Sequence, residues 1–516
     1  MKPVSVLNDV LGPVMRGPSS SHTAGSFHIG RLARALLGEE PASVTFAFDP
    51  GGSLGQVYSQ QGSDLGFAAG IMDLPMMDER FSRALDLAAE RGIELTFTIR
   101  PLPGADHPNT VEIRMTSPDG RELLVLAKSI GGGAVVFTRL AEWPVYLTGD
   151  AYEVLVVLGK GAEEAAREIL VRDGQIIDQP TRQTRDGRVL LHVRRQSPLN
   201  DDSQAEIEAL AGVHTIWTAC PIFFVQRGVP LFSSAAEMVA LAEGHGLSLG
   251  QIALGYESAL LGVPESDVLD EIIRRFEVMR TSVHCGLEVD PPPMQLLQPS
   301  AHQVYQAEAQ GRVAIGGIHT RAAARAMAVM HVNGGMGVIC AAPTAGSAGV
   351  IPGTLVTLVE ERGLSQEQAA LALLAASAVG LIVAMRATFA AEVAGCQVEI
   401  SAAGAMAAAA VVEAAGGNAR QAADAAAISL QNTMGLICDM VQGIVEIPCH
   451  TRNAVAASGT FVCADLILGG YVNPIPLDET IDAMYAVGRM LPRELKCTAL
   501  GGLALAPSAL AMPRLR

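Results

Sequence analysis

Three cysteines combine spacing and neighbours that could hold a metal. Cys396 lies in Ala394-Gly-Cys-Gln-Val-Glu399, Cys438 in Leu436-Ile-Cys-Asp439 and Cys449 in Ile447-Pro-Cys-His450, at intervals of 42 and 11 residues. Each sits at a helix end or a Gly/Pro break. Thiolates prefer soft metals, and three of them leave one iron of a four-iron cluster open. The spacing is neither a CxxC zinc pair nor a compact ferredoxin run, and on spacing alone burial as small core residues is the commoner outcome. Cys220, Cys285, Cys340, Cys463 and Cys497 read as core or incidental residues.

A second set is polar and rich in glycine: Gly17-Pro-Ser-Ser-Ser-His-Thr-Ala-Gly25, Gly51 to Ser63, His107-Pro-Asn-Thr110, Ser129-Ile-Gly-Gly-Gly133 and Ala342-Pro-Thr-Ala-Gly-Ser-Ala-Gly349. Converging loops of this kind offer backbone N–H groups and hydroxyls to a carboxylate. Any one of them alone is ordinary turn chemistry. His28, on the pattern that follows the serine loop, and His331, in a helix, read as packing residues. His284 stands beside Cys285 without a second pair, and His450 follows one of the three cysteines.

The elements that must position these residues fall into three groups. Residues 1–146 mix strands at Val44–Phe48, Glu94–Ile99, Thr110–Met115 and Leu123–Leu126 with helices at Ser26–Leu37 and Glu79–Arg91, an α+β domain. Residues 150–222 run strand, helix, strand, strand, helix, strand: Tyr152–Leu158, Ala162–Arg172, Gln175–Arg182, Arg188–Arg195, Asp202–Leu210 and Val213–Ala219. That βαββαβ order is ferredoxin-like, and its size and order resemble an ACT domain, a module that pairs and binds amino acids; a purely dimerising role is the alternative. Residues 227–516 carry ten helical patterns between Ala235 and Leu468 and form an almost wholly α-helical domain, with function on the Gly/Ser/Pro loops.

Composition narrows the chemistry. Apolar residues make up 49% of 516 and charged residues 17%, which excludes disorder and implies a large interior. The formal charge of −17 repels phosphate backbones and anionic lipid, so nucleic acid and membrane are poor partners. Eight cysteines are too few for a disulfide scaffold, and Met1 to Ser21 has no apolar signal segment, so a cytoplasmic protein is expected. The longest apolar run, Ala369 to Met385, reads as a buried helix. Lysine occurs only at positions 2, 128, 160 and 496, none beside a Gly-rich phosphate loop, which speaks against pyridoxal phosphate and its Schiff-base lysine.

Together the motifs resemble the iron–sulfur-dependent L-serine dehydratases, with a β part, an ACT-like module and an α part fused in one chain. Gly17–Gly25, His107–Thr110 and Ser129–Gly133 are similar to the family's β part. Ala342–Gly353, Gly395-Cys-Gln397, Ala403–Ala410, Cys438-Asp439, Ile447–Ala454 and Thr498–Ala504 are similar to its α part. The resemblance implies that Cys396, Cys438 and Cys449 ligate a [4Fe–4S] cluster whose open iron acts as a Lewis acid on the serine hydroxyl, giving pyruvate and ammonia without pyridoxal phosphate. It also implies His22, Thr23 and His107 as catalytic groups and Ser20, Ser21, Gln61, Asn109, Thr344 and Ser347 as substrate-binding groups. A homodimer is the default assembly, with an amino acid as substrate and an amino-acid effector at the ACT-like module.

Three departures matter. Gln60-Gln61-Gly62-Ser63-Asp64 stands where relatives read Gly-His-Gly-Thr-Asp, so an amide replaces an obvious acid–base histidine. That leaves His22 or His107 for the proton, or a different proton transfer, or a different β-substituted amino acid as substrate; a non-catalytic amino-acid-binding relative is a separate reading. Asp439-Met-Val-Gln-Gly443 departs from the family's Asp-Pro. The chain ends Met512-Pro-Arg-Leu-Arg516, without the terminal cysteine that caps the open iron in some relatives.

Overall fold

A computed structural model describes residues 3–159 and 161–515. Met1, Lys2, Lys160 and Arg516 lie outside the described residues, and with them two of the four lysines and the outer limits of the first and last groups.

The first part is built on a six-stranded sheet in the spatial order Glu94–Ile99, Ser43–Phe48, Thr110–Thr116, Glu122–Gly131, Ala134–Leu140 and Trp143–Leu147. Only the first pair is parallel. The last two strands were not expected from the sequence, because Ser129–Gly133 reads as a polar loop. Instead Ser129–Gly131 ends the strand Glu122–Gly131 and Gly132-Gly133 turns the hairpin into Ala134–Leu140, with all three glycines at positive φ. Helices Gly25–Leu37 and Ser63–Ile71 pack closely against each other. A Cβ at Gly70 would stand 2.2 Å from the Phe27 carbonyl oxygen. The Gly51–Ser63 stretch, expected as loop, contains the short helix Ser53–Val57. Glu79–Arg91 divides into a 3-10 turn and the helix Ala84–Glu90.

The middle part has the expected ferredoxin-like topology. Its four antiparallel strands lie in the order Val213–Ala219, Tyr152–Gly159, Arg188–Arg195, Thr181–Arg185, with helices Glu163–Val171 and Asp201–Ala209. The second strand starts at Thr181 rather than Gln175, and Ile176 makes a single bridge to Arg195. Pro180 has no N–H to give, so the ladder begins after it. Val154, Val156, Leu158, Leu191 and Val193 form a core of their own.

The last part is helical from Ala235 to Met490, apart from the three-residue strand Val338–Cys340. Gln366–Arg386 and Ile400–Ala414 are apolar on nearly every side and buried on nearly every side, as a central helix must be. The first of them is the long apolar run. Capping boxes start Leu249–Leu261, Gln366–Arg386 and Ala419–Thr433 at Ser248, Ser365 and Asn418. Helix Leu477–Met490 was not anticipated.

The first and last parts share one core. Val14–Arg16 pairs antiparallel with Val338–Cys340. The Glu257 carboxylate, fully buried, accepts hydrogen bonds from Ser5 Oγ at 2.5 Å and from the amides of Val6 at 2.7 Å and Leu7 at 3.0 Å. These contacts bring the serine loop over the cysteine-bearing helices.

Candidate active site

The cysteine loops are laced together by backbone and amide contacts. Gly395 holds φ +78° with the Leu436 carbonyl oxygen 2.9 Å from where its Cβ would lie, so only glycine fits before Cys396. Gln397 then donates its N–H to the Leu436 carbonyl at 3.1 Å and accepts from the Gly435 amide at 2.8 Å, fastening the Cys396 turn to the Cys438 segment. Cys449 opens helix Cys449–Leu468, where the helix N-terminus favours a thiolate. One turn on, Asn453 accepts from the Gly349 amide at 3.0 Å and donates to the carbonyls of Gly346 and Cys449 at 2.9 Å each. The 342–349 loop is thereby held against Cys449.

All three cysteines line one cavity of about 20 Å³, room for little more than a water molecule. A Glu399 carboxylate oxygen and the sulfurs of Cys396 and Cys438 lie within 4.8 Å of one another. The Cys438 thiol, with the Arg452 guanidinium, holds Cys396 below the ordinary thiol range against the effect of burial. Cys438 is pushed well up by its hydrogen bonds to Cys396 and Cys497 and by burial, and Cys449 mainly by burial. Burial and the nearby Cys396 push Glu399 well up. Arg452 is itself anchored on the Ile437 carbonyl at 3.0 Å and Asp439 Oδ1 at 2.9 Å. The donor set is soft, crowded and backed by a cation, and metal binding there would release protons.

A carboxylate lines the same cavity. Glu392, 4% exposed, accepts on Oε1 from Ser21 Oγ at 2.5 Å and Asn109 Nδ2 at 3.0 Å. Its Oε2 has no protein partner. His22 Nδ1 stands 3.5 Å from Oε1 and 2.9 Å from Ser21 Oγ. His22 Nε2 is 3.1 Å from Ser53 Oγ, which donates to the Cys497 carbonyl at 3.0 Å. Ser53 therefore accepts a hydrogen bond from Nε2, and Nδ1 faces Ser21 and the carboxylate. Burial lowers the His22 pKa and the Glu392 charge opposes it. Burial works against ionised Glu392, but His22, Ser21 and Asn109 outweigh it and hold the carboxyl below its ordinary range. His107, also lowered by burial, accepts the Asn109 amide on Nδ1 at 3.2 Å. The glycine hairpin sets the carboxylate's position: Gly131, at φ +100°, presses on the backbone of Phe389 and Ala390, where a Cβ would come within 2.7 Å of the Ala390 nitrogen.

The profile of the serine dehydratase alpha chain family matches residues 200–504, more than half of the chain and all of the cysteine-bearing segments. The chain belongs to the serine dehydratase alpha chain family. Among its relatives, the probable L-serine dehydratase alpha chain of Bacillus subtilis (strain 168) is 38% identical over 278 residues, which is 54% of this chain and 93% of that one. The probable beta chain of the same organism is 40% identical over 149 residues, 29% of this chain and 66% of that one. L-serine dehydratase TdcG of Escherichia coli (strain K12) is 31% identical over 293 residues, 54% of this chain and 63% of that one.

Within this serine dehydratase family member, the residues singled out from sequence take up different stations. Ser21, Gln61, Cys396, Cys438 and Cys449 line the cavity. His22, His107 and Asn109 stand behind Glu392. Thr23 donates to the Gln61 carbonyl at 2.7 Å, fixing that loop. Ser20 accepts the Ala345 amide at 3.2 Å, and Thr344 and Ser347 pair at 3.1 Å; these three brace the 342–349 loop, whose Gly346 reaches the wall. His28 packs, its Nδ1 2.7 Å from the Gly133 carbonyl oxygen, and exposed His284 pairs with Glu360 at 2.9 Å.

Sequence reasoning passed over Ser19, Ser53, Glu392, Glu399, Arg452 and Cys497. Glu392 had a signal: a lone carboxylate in the apolar run Phe389–Gly395, four residues before a candidate ligand, must be paired if buried. Cys497 adjoins the family-like Thr498–Ala504 segment, its one local signal, and was read as core or incidental.

Proposed function

We propose that the chain deaminates L-serine to pyruvate and ammonia, with a [4Fe–4S] cluster held by Cys396, Cys438 and Cys449. The observation that carries this reading is one cavity lined both by the three cysteines and by Glu392, whose Oε2 has no protein partner. The names and the 93% coverage of the Bacillus subtilis alpha chain support the substrate. Buried thiols beside Arg452 fit an anionic cluster–thiolate assembly. When bound there, the cluster supplies a Lewis acid for departure of the substrate hydroxyl.

The chain's own groups perform the remaining work. Ser19 and Gln61 offer donors at the wall for the substrate carboxylate, stabilising charge as it develops next to Cα. Glu392 Oε2 takes the Cα proton; His22, Ser21 and Asn109 hold that carboxylate charged and aimed. Loss of the proton and the hydroxyl leaves aminoacrylate, which tautomerises and hydrolyses to pyruvate and ammonia.

We assign residues 1–146 to a β-like part, 150–222 to an ACT-like module that takes an amino-acid effector, and 227–516 to the α-like part. The ferredoxin-like strand order supports the middle assignment. Pairing of two copies into a homodimer completes the proposal, as does a cytoplasmic setting, which the eight free cysteines support. A second reading keeps the chemistry but changes the substrate to another β-substituted amino acid, and Gln61 on the cavity wall favours it.

The test is anaerobic purification, iron analysis and pyruvate assay across L-serine, L-threonine and other β-substituted amino acids. About four irons per chain with rapid pyruvate release from L-serine is the expected result. A cluster-loaded protein inert toward L-serine refutes the substrate, and a protein that takes up no iron refutes the site.

A further inference from the structure

A second cavity, of about 430 Å³, shares no lining residue with the cysteine-lined one and falls in the range of small-molecule sites. It lies where the first part of the chain, the linker Pro221–Phe224 and the helix Glu265–Gly286 meet. The linker is pinned there from two sides. Asn8 accepts from the Phe224 amide at 2.8 Å and donates to the Phe224 carbonyl at 2.9 Å. The amides of Ile222 and Phe223 donate to the Gly149 carbonyl at 2.8 and 3.0 Å. Gly149 holds φ +73°, and a Cβ on it would stand 2.5 Å from Ile222 Cγ1, so the close approach needs glycine.

The lining selects a ligand by its chemistry. Buried Arg275 donates from Nη1 to the Leu7 and Leu11 carbonyls and from Nε to Glu271 at 2.7 Å. Exposed Arg274 donates from Nε and Nη2 to the same carboxylate at 2.6 and 2.7 Å, which leaves its Nη1 for a ligand. Two guanidiniums over one carboxylate put a positive charge in excess on this wall, which suits an anionic carboxylate. His28 supplies the second demand. Its Nδ1 is 2.7 Å from the Gly133 carbonyl oxygen, which only accepts, so Nδ1 carries the proton. Burial lowers the His28 pKa to about 4, so the ring is neutral near pH 7 and Nε2 is a bare acceptor. A ligand beside it must bring an N–H or O–H. Val14, Met77, Ile222 and Phe223 make the rest of the wall apolar.

We propose that this cavity binds an amino acid with an apolar side chain as an effector, its carboxylate on Arg274 and Arg275 and its ammonium on His28. The apolar side chain lies against Ile222 and Phe223. Contact with the candidate active site runs through the glycine hairpin. His28 holds Gly133, and Gly131 of the same hairpin presses on Phe389 and Ala390, just before Glu392. The site stands outside the sheet and helices of the ACT-like module, and it does not depend on the cluster reading.

The test is isothermal titration calorimetry of the full-length enzyme with L-leucine, alongside its turnover of L-serine. About one site per chain is expected, and saturating L-leucine should shift kcat/KM at least twofold. Arg274→Ala should bind L-leucine at least tenfold more weakly, as loss of a charge-assisted hydrogen bond implies. Arg274→Gln serves if the alanine protein is unstable, and the same weakening is expected. L-Leucinamide, which lacks the carboxylate, and the corresponding α-keto acid, which lacks the donor, should each bind at least tenfold more weakly than L-leucine. No binding of L-leucine, or equal binding by the Arg274 variants, overturns the proposal. Equal affinity for the α-keto acid removes His28 and with it the amino-acid class, and binding without a shift in kcat/KM overturns the effector role. Protein that takes up no iron yet binds L-leucine with this dependence on Arg274 refutes the cluster reading and supports the present one.

Discussion

Replacing Glu392 with glutamine separates the proton-accepting role from the fold. The carboxylate accepts two hydrogen bonds on Oε1, from Ser21 at 2.5 Å and Asn109 at 3.0 Å, and its Oε2 stands without a partner. Glutamine has the same shape and keeps an amide oxygen for Ser21. Asn109 Oδ1 has no protein partner either, so its amide can turn and accept from the new NH2. The structural loss is then limited to the difference between charge-assisted and neutral hydrogen bonds, on the order of 1–2 kcal/mol. The chemical loss is larger, because an amide cannot accept a proton at neutral pH. Removing a positioned base costs roughly 10²–10⁴-fold in rate, equivalent to about 3–5 kcal/mol of barrier. We expect kcat to fall by that factor in a lactate-dehydrogenase-coupled pyruvate assay, with iron content and cluster absorbance unchanged. Glu392→Asp, which keeps the charge one methylene farther back, should recover part of the loss. A Glu392→Gln enzyme with a loaded cluster and kcat within about threefold of wild type would refute the assignment of the base.

Cys396→Ser should lose cluster and turnover together, and full iron content in that variant would remove Cys396 from the ligand set. His22→Ala should lower kcat by roughly ten- to a hundredfold with little change in KM and no change in cluster absorbance, since His22 acts through Glu392; an unchanged kcat would refute that. His28 titrates near 4 because burial disfavours its charged form, whereas in the unfolded chain it titrates near 6.5. Its contribution is therefore complete above about pH 6.5 and is lost as the pH falls toward 4, by about 2 kcal/mol at pH 5. Urea midpoints at pH 7.5 and pH 5 should fall further apart for wild type than for His28→Gln, whose amide still donates to Gly133; equal differences would refute the link.

Much of the architecture was legible residue by residue because its causes are local. Ser248, Ser365 and Asn418 announce their helices through side-chain caps, and Gly92, Gly246 and Gly262 close theirs at positive φ. The ferredoxin-like middle part was readable because alternating apolar residues such as Val154, Val156 and Leu158 mark one face of a strand. Cys396, Cys438 and Cys449 were singled out by type and setting, and the structure brings all three to one cavity. What period and type cannot supply is convergence. Ser21 and Glu392 are 371 residues apart in the chain and share a hydrogen bond, and Gln61 and Cys497 touch across 436. Glu392 stands on the wall in front of both histidines only because the Ser129–Gly133 hairpin presses on Phe389 and Ala390 and the first and last parts of the chain share a core. Sequence determined which groups could do chemistry and which elements would carry them. Packing between distant elements decided which groups meet at the cavity, because close approach of buried polar atoms depends on how whole helices and loops seat against one another, and no stretch of neighbouring residues encodes that.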